Sequence, residues 1–171
     1  MIRLATLKDQ QEITEIYEDA KKLFSDLGYY QWKGEYPNYR NFLFDLNNNK
    51  ILVLEINNHI ASILTLVSEI DKNYLEIDGK WLNDEEYVSI HRNATSHNFY
   101  HQGYATTLFT EAEKYVLEMG RNNIRIDTHE DNIYMQRMLE KLGYKKCGII
   151  KLLGRDDLDN PYRIAYQKII K

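Results

Sequence analysis

The feature that most constrains the fold of this 171-residue chain is a strand, a loop, a helix and a second strand over residues 86–129. The segment "EYVSIHRNA" (86–94) predicts a strand. Residues 104–119 place apolar side chains at helical spacing, and "NIRIDTH" (123–129) predicts the next strand. A helix that links two neighbouring strands leaves them parallel, by a right-handed crossover. The chain therefore contains one parallel pair, and we expect a ligand beyond the carboxyl ends of its strands.

Antiparallel hairpins are predicted on both sides of this crossover. "ILVLEI" (51–56) and "HIASILTLVSE" (59–69) are joined by Asn57-Asn58, a pair that tolerates the positive φ of a tight turn. Segments 145–152 and 163–170 predict the closing pair of strands. Together these elements indicate an α+β domain of the three-layer α/β type, with a mixed, mostly antiparallel twisted sheet and helices on both faces.

The remaining segments complete the order β-α-α-β-β-β-α-β-α-β-β. They are a strand at 2–6, a helix that follows a capping box at Thr6 and Asp9 and ends at Gly28, a short helix at 37–47 starting at Pro37, a loop at 71–84, a helix at 132–142 and a turn at 154–160. No repeat or Pro/Gly/Ser linker divides the chain, so residues 1–171 are predicted to be one domain.

Composition excludes several classes of protein. The net charge of −4 argues against a broad nucleic-acid surface, and no apolar run approaches the length of a membrane span. The N-terminal "MIRLATLKDQQEI" lacks the apolar core of a signal peptide, and one cysteine, Cys147, excludes an internal disulfide and a multi-cysteine zinc site. We expect a cytoplasmic protein, a monomer or homodimer without a metal, in which Cys147 is a buried structural thiol.

Gly103 lies between a polar loop and the helix that begins at Tyr104. The first turn of a helix has unpaired N–H groups and a positive dipole end, and a glycine there lets an anion approach the backbone. On this feature alone an ordinary turn is the commoner explanation of such a glycine. The chain contains neither G-x-x-x-x-G-K-[ST] nor G-x-G-x-x-G, which disfavours a P-loop NTPase and a dinucleotide-binding Rossmann unit.

Three motifs in order resemble the GNAT superfamily of acyl-coenzyme A-dependent N-acetyltransferases. The hexad "YHQGYA" (100–105) is similar to the family's [RQ]-x-x-G-x-[GA], with Tyr100 in place of Arg or Gln. "IRIDTHEDNIYMQRMLEKLGYKKCGI" resembles the second motif, and "IRLATLKDQQEI" the opening strand and helix. The resemblance covers nearly the whole chain and implies the GNAT-like fold, with the strands at 86–94 and 123–129 splayed apart.

The resemblance also implies acetyl-CoA as co-substrate and assigns the residues that bind it. The loop and the first helical turn would hold the pyrophosphate, through Tyr100, His101, Gln102, Gly103, Tyr104, Ala105 and Thr106. The strand end at Asn93, Ala94 and Thr95 would pair with the pantetheine arm. Asn132 and Met135, at the next helix, would contact that arm from the other side. A plain helix N-cap is the alternative role of Asn132.

The catalytic groups depart from the family pattern. The tyrosine that often protonates the thiolate is replaced by Leu139, and the glutamate on the strand before the phosphate loop by Ser89. His91 shares the strand face of Ser89 and is a candidate general base, with packing in the sheet as the alternative. His129 is a second candidate, with a solvated loop histidine as the alternative, and Asp127 is a weaker option.

The family resemblance leaves the acceptor open, so we expect a small-molecule or peptide amine. The aromatic residues Tyr29, Tyr30, Trp32 and Tyr36 line an acceptor pocket or pack against the first helix. A coenzyme A-binding module with weak or no transferase activity is the alternative function, motivated by Leu139 and Ser89. An unrelated nucleotide-binding α/β protein is a third reading of the phosphate signal.

Overall fold

The computed structural model of the chain describes residues 1–155 and 157–171. Its strands are β1 (Ile2–Leu4), β2 (Ile51–Ile56), β3 (His59–Val67), β4 (Asp78–Gly79), β5 (Val88–Thr95), β6 (Asn123–Thr128), β7 (Lys145–Lys151) and β8 (Tyr162–Ile169). Its helices are α1 (Gln10–Asp26), α2 (Tyr39–Asn47), α3 (Tyr104–Glu118) and α4 (Ile133–Lys141). The strands form one sheet in the order β1-β2-β3-β5-β6-β8-β7-β4.

The sheet confirms the predicted mixed, mostly antiparallel α+β fold. β5 and β6 pair in parallel, in a register that joins Val88 to Ile124 and Ser89 to Arg125 near the beginning of each strand. The ladders β1–β2, β2–β3, β6–β8, β7–β8 and β4–β7 are antiparallel. The turn between β2 and β3 has φ of 51° at Asn57 and 64° at Asn58, so the asparagine pair forms the predicted tight hairpin.

Several boundaries differ from those predicted; β3 ends at Val67 rather than at residue 69, and β5 begins at Val88 rather than at residue 86. β1 ends at Leu4, and α2 begins at Tyr39 rather than at Pro37. Asn38 is the N-cap of α2, because its side chain accepts hydrogen bonds from the N–H groups of Arg40 (2.9 Å) and Asn41 (3.3 Å). A side-chain acceptor that satisfies these N–H groups sets the start of the helix more firmly than a nearby proline.

The segment predicted as a loop over 71–84 contains a 3₁₀ turn at Lys72–Tyr74 and the two-residue strand β4. Gly79 of β4 lies opposite Gly148 of β7, and a Cβ on either glycine would lie 2.2 Å from a carbonyl oxygen of the other strand. The ladder therefore depends on two glycines at close approach. Hydrophobic alternation, the usual signal of a strand, does not reveal such a pairing.

The chain divides into two compact units, each with its own apolar core. The first comprises residues 1–67 and 90–112, the second residues 68–89 and 113–171. The core cluster of the first unit is Ile13, Ile16, Tyr17, Phe42, Ile51, Val53, Ile60 and Ile63. That of the second is Tyr74, Trp81, Cys147, Ile150 and Ala165. The predicted turn at 154–160 includes Asp156, which lies outside the described residues.

Candidate functional site

The loop between β5 and α3, in the first unit, combines two left-handed residues with an exposed helix start. His101 has φ of 61° and Gly103 has φ of 79°. A Cβ added to Gly103 would meet nothing within 4 Å, so the backbone conformation rather than lack of space favours glycine at this position. The first helical turn follows immediately at Tyr104.

The N–H groups of this loop are open to a ligand. Thr107 donates the first hydrogen bond of the helix, to the carbonyl oxygen of Gly103 at 3.0 Å. Within residues 1–155 and 157–171, no hydrogen bond is described for the N–H groups of residues 101–106, and most of these residues are exposed. A run of N–H donors at the positive end of a helix dipole is suited to bind a phosphate group.

The side chains of the loop add little positive charge to this site. Residues 96–106 contain no lysine or arginine. Tyr100 is half-buried, and burial, with a smaller effect of Asp19, raises the pKa of its hydroxyl. The Gln102 side chain folds back, with Nε2 3.4 Å from the carbonyl oxygen of Asn98. Backbone amides are therefore the main donors that the loop offers to an anion.

The end of β5 precedes this loop and carries Asn93, Ala94 and Thr95. Its geometry is held by Ser62 of β3, whose hydroxyl donates to the carbonyl oxygen of Ala94 at 3.1 Å and lies 3.3 Å from Oγ1 of Thr95. His91 is half-buried on the same strand, two residues after the fully buried Ser89. The strand end is thus a fixed backbone surface rather than a loose loop.

His129 directly follows β6 in the second unit and is 1% exposed, so the alternative of a solvated loop histidine is wrong. The N–H of Asp131 donates to its Nδ1 at 3.2 Å, and Oδ2 of Asp131 lies 3.3 Å from the same nitrogen. The N–H contact favours the neutral tautomer that carries its proton on Nε2. Nε2 is buried and has no hydrogen-bond partner among the described residues. Burial, followed by the charge of Arg163, lowers the pKa of His129. The ring is therefore a buried neutral donor at pH 7.

Asn132 is the N-cap of α4. Its side-chain oxygen accepts a hydrogen bond from the N–H of Met135 at 3.1 Å, and both residues are 8% exposed. The capping role weighed for Asn132 is confirmed. Its predicted contact with a ligand stays a prediction, which the cap does not exclude because the side-chain amide also has two donor hydrogens.

Asp127, the weaker catalytic option, has a buried partner that was not predicted. Tyr74, 2% exposed, donates to Oδ2 of Asp127 at 2.7 Å, and burial, with a smaller effect of Asp127, raises the pKa of Tyr74 well above its ordinary value. Tyr74 lies in the segment predicted as a loop. No periodicity marks it, so only the packing of the segment brings it to β6.

Comparison with known proteins decides the family. A sequence model described as "Acetyltransferase (GNAT) family" matches residues 11–144. The chain belongs to the GNAT acetyltransferase family. A search of curated proteins found no match.

Solved structures of GNAT proteins are similar over the whole chain. A GNAT family acetyltransferase from Streptococcus agalactiae is 33% identical, with TM-score 0.87, over 100% of this chain and 95% of that one. A ribosomal-protein-alanine N-acetyltransferase from Brucella melitensis is 18% identical, with TM-score 0.70, over 99% of each chain. The putative acetyltransferase yncA from Salmonella typhimurium, solved with acetyl-CoA, is 15% identical, with TM-score 0.73, over 100% of this chain and 94% of that one. The last two show likeness of fold alone.

Two positions of this GNAT protein depart from the family pattern in a physically definite way. Leu139, where a tyrosine is often found, is fully buried on α4. Tyr144 does not replace that tyrosine, since it is 2% exposed and burial, then Glu113, raises its pKa. Ser89, where a glutamate is often found, is also fully buried. None of the three offers an exposed acid or base.

The aromatic residues after α1 are mainly packing groups in this member of the family. Trp32 contacts the rings of Tyr17 and Phe24, with centroids 5.9 and 5.6 Å apart, and Tyr29 lies 6.0 Å from Phe24. Tyr30 is 42% exposed, with Nζ of Lys33 over its ring. Tyr36 accepts a hydrogen bond from Arg92.

Cys147 is buried, as predicted, and burial raises the pKa of its thiol. In the part of the chain that the structure describes, no three His, Cys, Asp or Glu side chains are placed to hold a metal ion. Over the same residues, no helix has the length and hydrophobicity needed to cross a membrane.

Proposed function

We propose that this protein is an acetyl-CoA-dependent N-acetyltransferase that transfers the acetyl group directly to a primary amine. The observation that carries the proposal is the run of N–H groups at residues 101–106 that have no described hydrogen-bond partner. Coenzyme A carries a pyrophosphate, and backbone N–H groups at a helix start are suited to bind it. The acetyl-CoA bound to the Salmonella relative of the same fold supports this choice of co-substrate.

In this proposal the first unit binds and orients the thioester. The N–H groups of residues 101–106 hold the pyrophosphate, with Tyr100 bordering them. The backbone of residues 93–95 pairs with the pantetheine arm as an added strand would. A backbone N–H near Ala94 and Thr95 donates to the acetyl oxygen as negative charge develops on it. In the second unit, Asn132 and Met135 are the proposed ligand contacts, through the side-chain amide and the thioether.

The chemistry transfers one acetyl group and two protons in balance. The amine nitrogen, after losing a proton from its ammonium form, attacks the acetyl carbonyl carbon. The C–S bond breaks, the thiolate takes a proton, and the new amide nitrogen loses one. We propose His91 as the base for the amine or for a water that relays its proton. His129, neutral at pH 7, is proposed to act as a donor through Nε2 rather than as a cationic acid. With Leu139 buried, the thiolate takes its proton from solvent.

A binding module with weak or no transferase activity is the second candidate. The burial of Leu139 and Ser89 favours it, because the two positions that often supply the acid and the base are apolar or closed to solvent. The open N–H groups of the loop fit either candidate. Turnover is therefore what distinguishes them.

The test is a panel of amines with acetyl-CoA, followed by thiol release, together with calorimetric titration of acetyl-CoA alone. The panel contains small amines, amino acids, aminoglycosides and peptides with free N-terminal alanine; the last is suggested by the name of the Brucella relative. Thiol release with any amine above the hydrolysis background supports the transferase. Binding without turnover over the whole panel supports the binding module. Absence of binding contradicts both.

His91→Ala tests the proposed base. We expect kcat to fall by about 100-fold, the lower range for loss of a general base, with the acetyl-CoA dissociation constant within twofold of wild type. His59→Ala is the matched control, since His59 is 69% exposed in side chain and is given no role. Unchanged kcat at every pH from 6 to 9 in the His91 variant would assign His91 to packing.

A further inference from the structure

Arg92 has a backbone conformation that side-chain-bearing residues rarely adopt. Its φ is 46°, yet it lies within β5, in the middle of an otherwise extended strand. A left-handed residue inside a strand interrupts the alternation of side chains and bends the chain, as in β-bulges that begin with a left-handed residue. Asn93, Ala94 and Thr95 follow directly, so their N–H and C=O directions depend on Arg92.

Three hydrogen bonds hold the Arg92 side chain. Nε donates to Oδ2 of Asp45 at 2.6 Å and Nη2 donates to Oδ1 at 2.8 Å, which is a bidentate ion pair. Nη1 donates to the hydroxyl of Tyr36 at 2.9 Å. All three residues belong to the first compact unit. These bonds fix the orientation of the guanidinium and also compensate its charge.

The ion pair is buried on the side of α2. The Asp45 side chain is 1% exposed and the Arg92 side chain is 14% exposed. Burial lowers the pKa of Arg92, but the attraction of Tyr36 and Asp45 outweighs it and raises the pKa above the ordinary value. A buried pair in this geometry is strongly disrupted when one partner is removed, because the other charge is left uncompensated.

We propose that Asp45, Arg92 and Tyr36 form a positioning cluster that holds β5 in its left-handed bend and so aims the backbone of residues 93–95. Local strain persists only where surrounding contacts determine it, and such positions concentrate at functional sites. The inference rests on the proposed function, in which that backbone binds the pantetheine arm and the acetyl oxygen. Arg92 and Asp45 act through the backbone and are positioning residues.

A buried ion pair that only stabilises the fold is the competing explanation, and the first unit contains a matched example. Arg3 donates from Nη1 and Nη2 to the two carboxylate oxygens of Asp9, each at 2.8 Å, and Asp9 is 8% exposed. That pair joins the residue preceding Leu4 to the start of α1, away from β5 in sequence. Asp9→Asn is therefore the control for loss of a bidentate pair without a positioning role.

The first measurement is amide hydrogen exchange of the full chain without ligand, comparing Asp45→Asn with Asp9→Asn. We expect exchange at Asn93, Ala94 and Thr95 to accelerate at least tenfold in Asp45→Asn and to change less than twofold in Asp9→Asn. Tyr36→Phe removes one hydrogen bond, and we expect a smaller acceleration of exchange in this variant. It replaces Asp45→Asn in the comparison if Asp45→Asn does not fold. Unchanged exchange at these three residues in the folded variants overturns the inference, whatever the activity.

The second measurement is turnover at the best amine of the panel. We expect kcat to fall at least tenfold in Asp45→Asn, less in Tyr36→Phe and Arg92→Lys, and less than twofold in Asp9→Asn, although Asp45→Asn and Asp9→Asn both lower Tm. Faster exchange with unchanged kcat and KM overturns the inference and leaves the proposed function standing. A wild-type protein that neither binds nor turns over acetyl-CoA overturns the proposed function and this inference with it, while the exchange result still reports on the bend.

Discussion

The chain starts two helices directly after a strand and a short loop, and the two starts differ in how their N–H groups are satisfied. At α3, the N–H groups of residues 101–106 have no described partner and the loop is exposed. At α4, the side-chain oxygen of Asn132 accepts the N–H of Met135, the N–H of Ile133 donates to the carbonyl oxygen of Asp131, and the N–H of Asp131 donates to Nδ1 of His129. The first start is open and the second is closed.

The contrast shows which helix start is suited to a ligand. Both have the same dipole and the same number of N–H groups without intrahelical partners. A side-chain cap satisfies some of these N–H groups and stabilises the helix by about 1 kcal/mol. A helix without a cap lacks this stabilisation until an anion binds to its N–H groups. An open start is therefore the better candidate for a binding surface, and a capped start has a structural role.

Gly103→Leu has the largest expected effect on the open start. The left-handed φ costs a non-glycine residue about 1–2 kcal/mol, and a bulky side chain beside residues 101–106 blocks the approach of a pyrophosphate. We expect acetyl-CoA affinity, measured by calorimetry, to fall by about 100-fold, the loss of two or so charge-assisted hydrogen bonds.

Gly28→Leu is the matched control for this change. Gly28 has φ of 72° and, like Gly103, would place its Cβ within 4 Å of nothing. The two variants are expected to lose similar stability, while Gly28→Leu keeps its affinity for acetyl-CoA. Equal affinities in the two variants would remove the phosphate site from the loop and leave Gly103 as an ordinary turn.

Substitution of Asn132 separates the cap from a ligand contact at the closed start. Asn132→Ala should lower stability by about 1 kcal/mol through loss of the cap. That corresponds to a fall in Tm of about 2–4 °C for a chain of this size. Asn132→Asp keeps a capping oxygen but has no amide donor. If Asn132→Asp has the wild-type Tm but binds acetyl-CoA several-fold more weakly, Asn132 both caps the helix and contacts the ligand. If both variants bind acetyl-CoA with wild-type affinity, capping is the only role of Asn132.

His129 has the smallest expected effect, visible in the pH dependence of stability. Its pKa in the folded chain is lowered from the ordinary 6.5. Below about pH 6.5 the unfolded chain therefore binds more protons at this residue, and the free energy of unfolding falls as the pH falls toward the folded-state pKa. His129→Gln removes this contribution and keeps a side-chain acceptor for Asp131. We expect the Tm of this variant to fall less than that of wild type between pH 7 and 5. If the Tm of both proteins falls equally over this range, the lowered pKa of His129 is contradicted.

Periodicity and turn chemistry predicted most of the fold. The apolar runs of β2 and β3, the asparagine turn and the apolar stripe of α3 are local signals, and the structure has all three in place. Pro37 predicts a start of α2 that is too early, because the N-cap of the helix is Asn38. β4 was missed because its two residues have no period and depend on Gly148, 69 positions away along the chain.

The candidate site divides in the same way. Gly103 and the polar loop before it can be recognised in the amino-acid sequence, and so can the family resemblance that points to Asn132. The burial of His129 is not, since a histidine at a strand end reads as solvated until β8 and Arg163 are folded beside it. Tyr74 and its contact with Asp127 are equally hidden, because no pattern marks a loop residue that becomes buried.

The amino-acid sequence by itself determined the family, the order of the elements and the position of the open helix start, since these depend on periods, turns and one glycine that act within a few residues. Only the tertiary structure decided the environment of the chemical groups: which histidine is buried, which N–H groups have no partner among the described residues, and which carboxylate pairs with Arg92. Burial and ion pairing join residues far apart along the chain, as Asp45 and Arg92 do. Such contacts form only when the sheet and helices have packed.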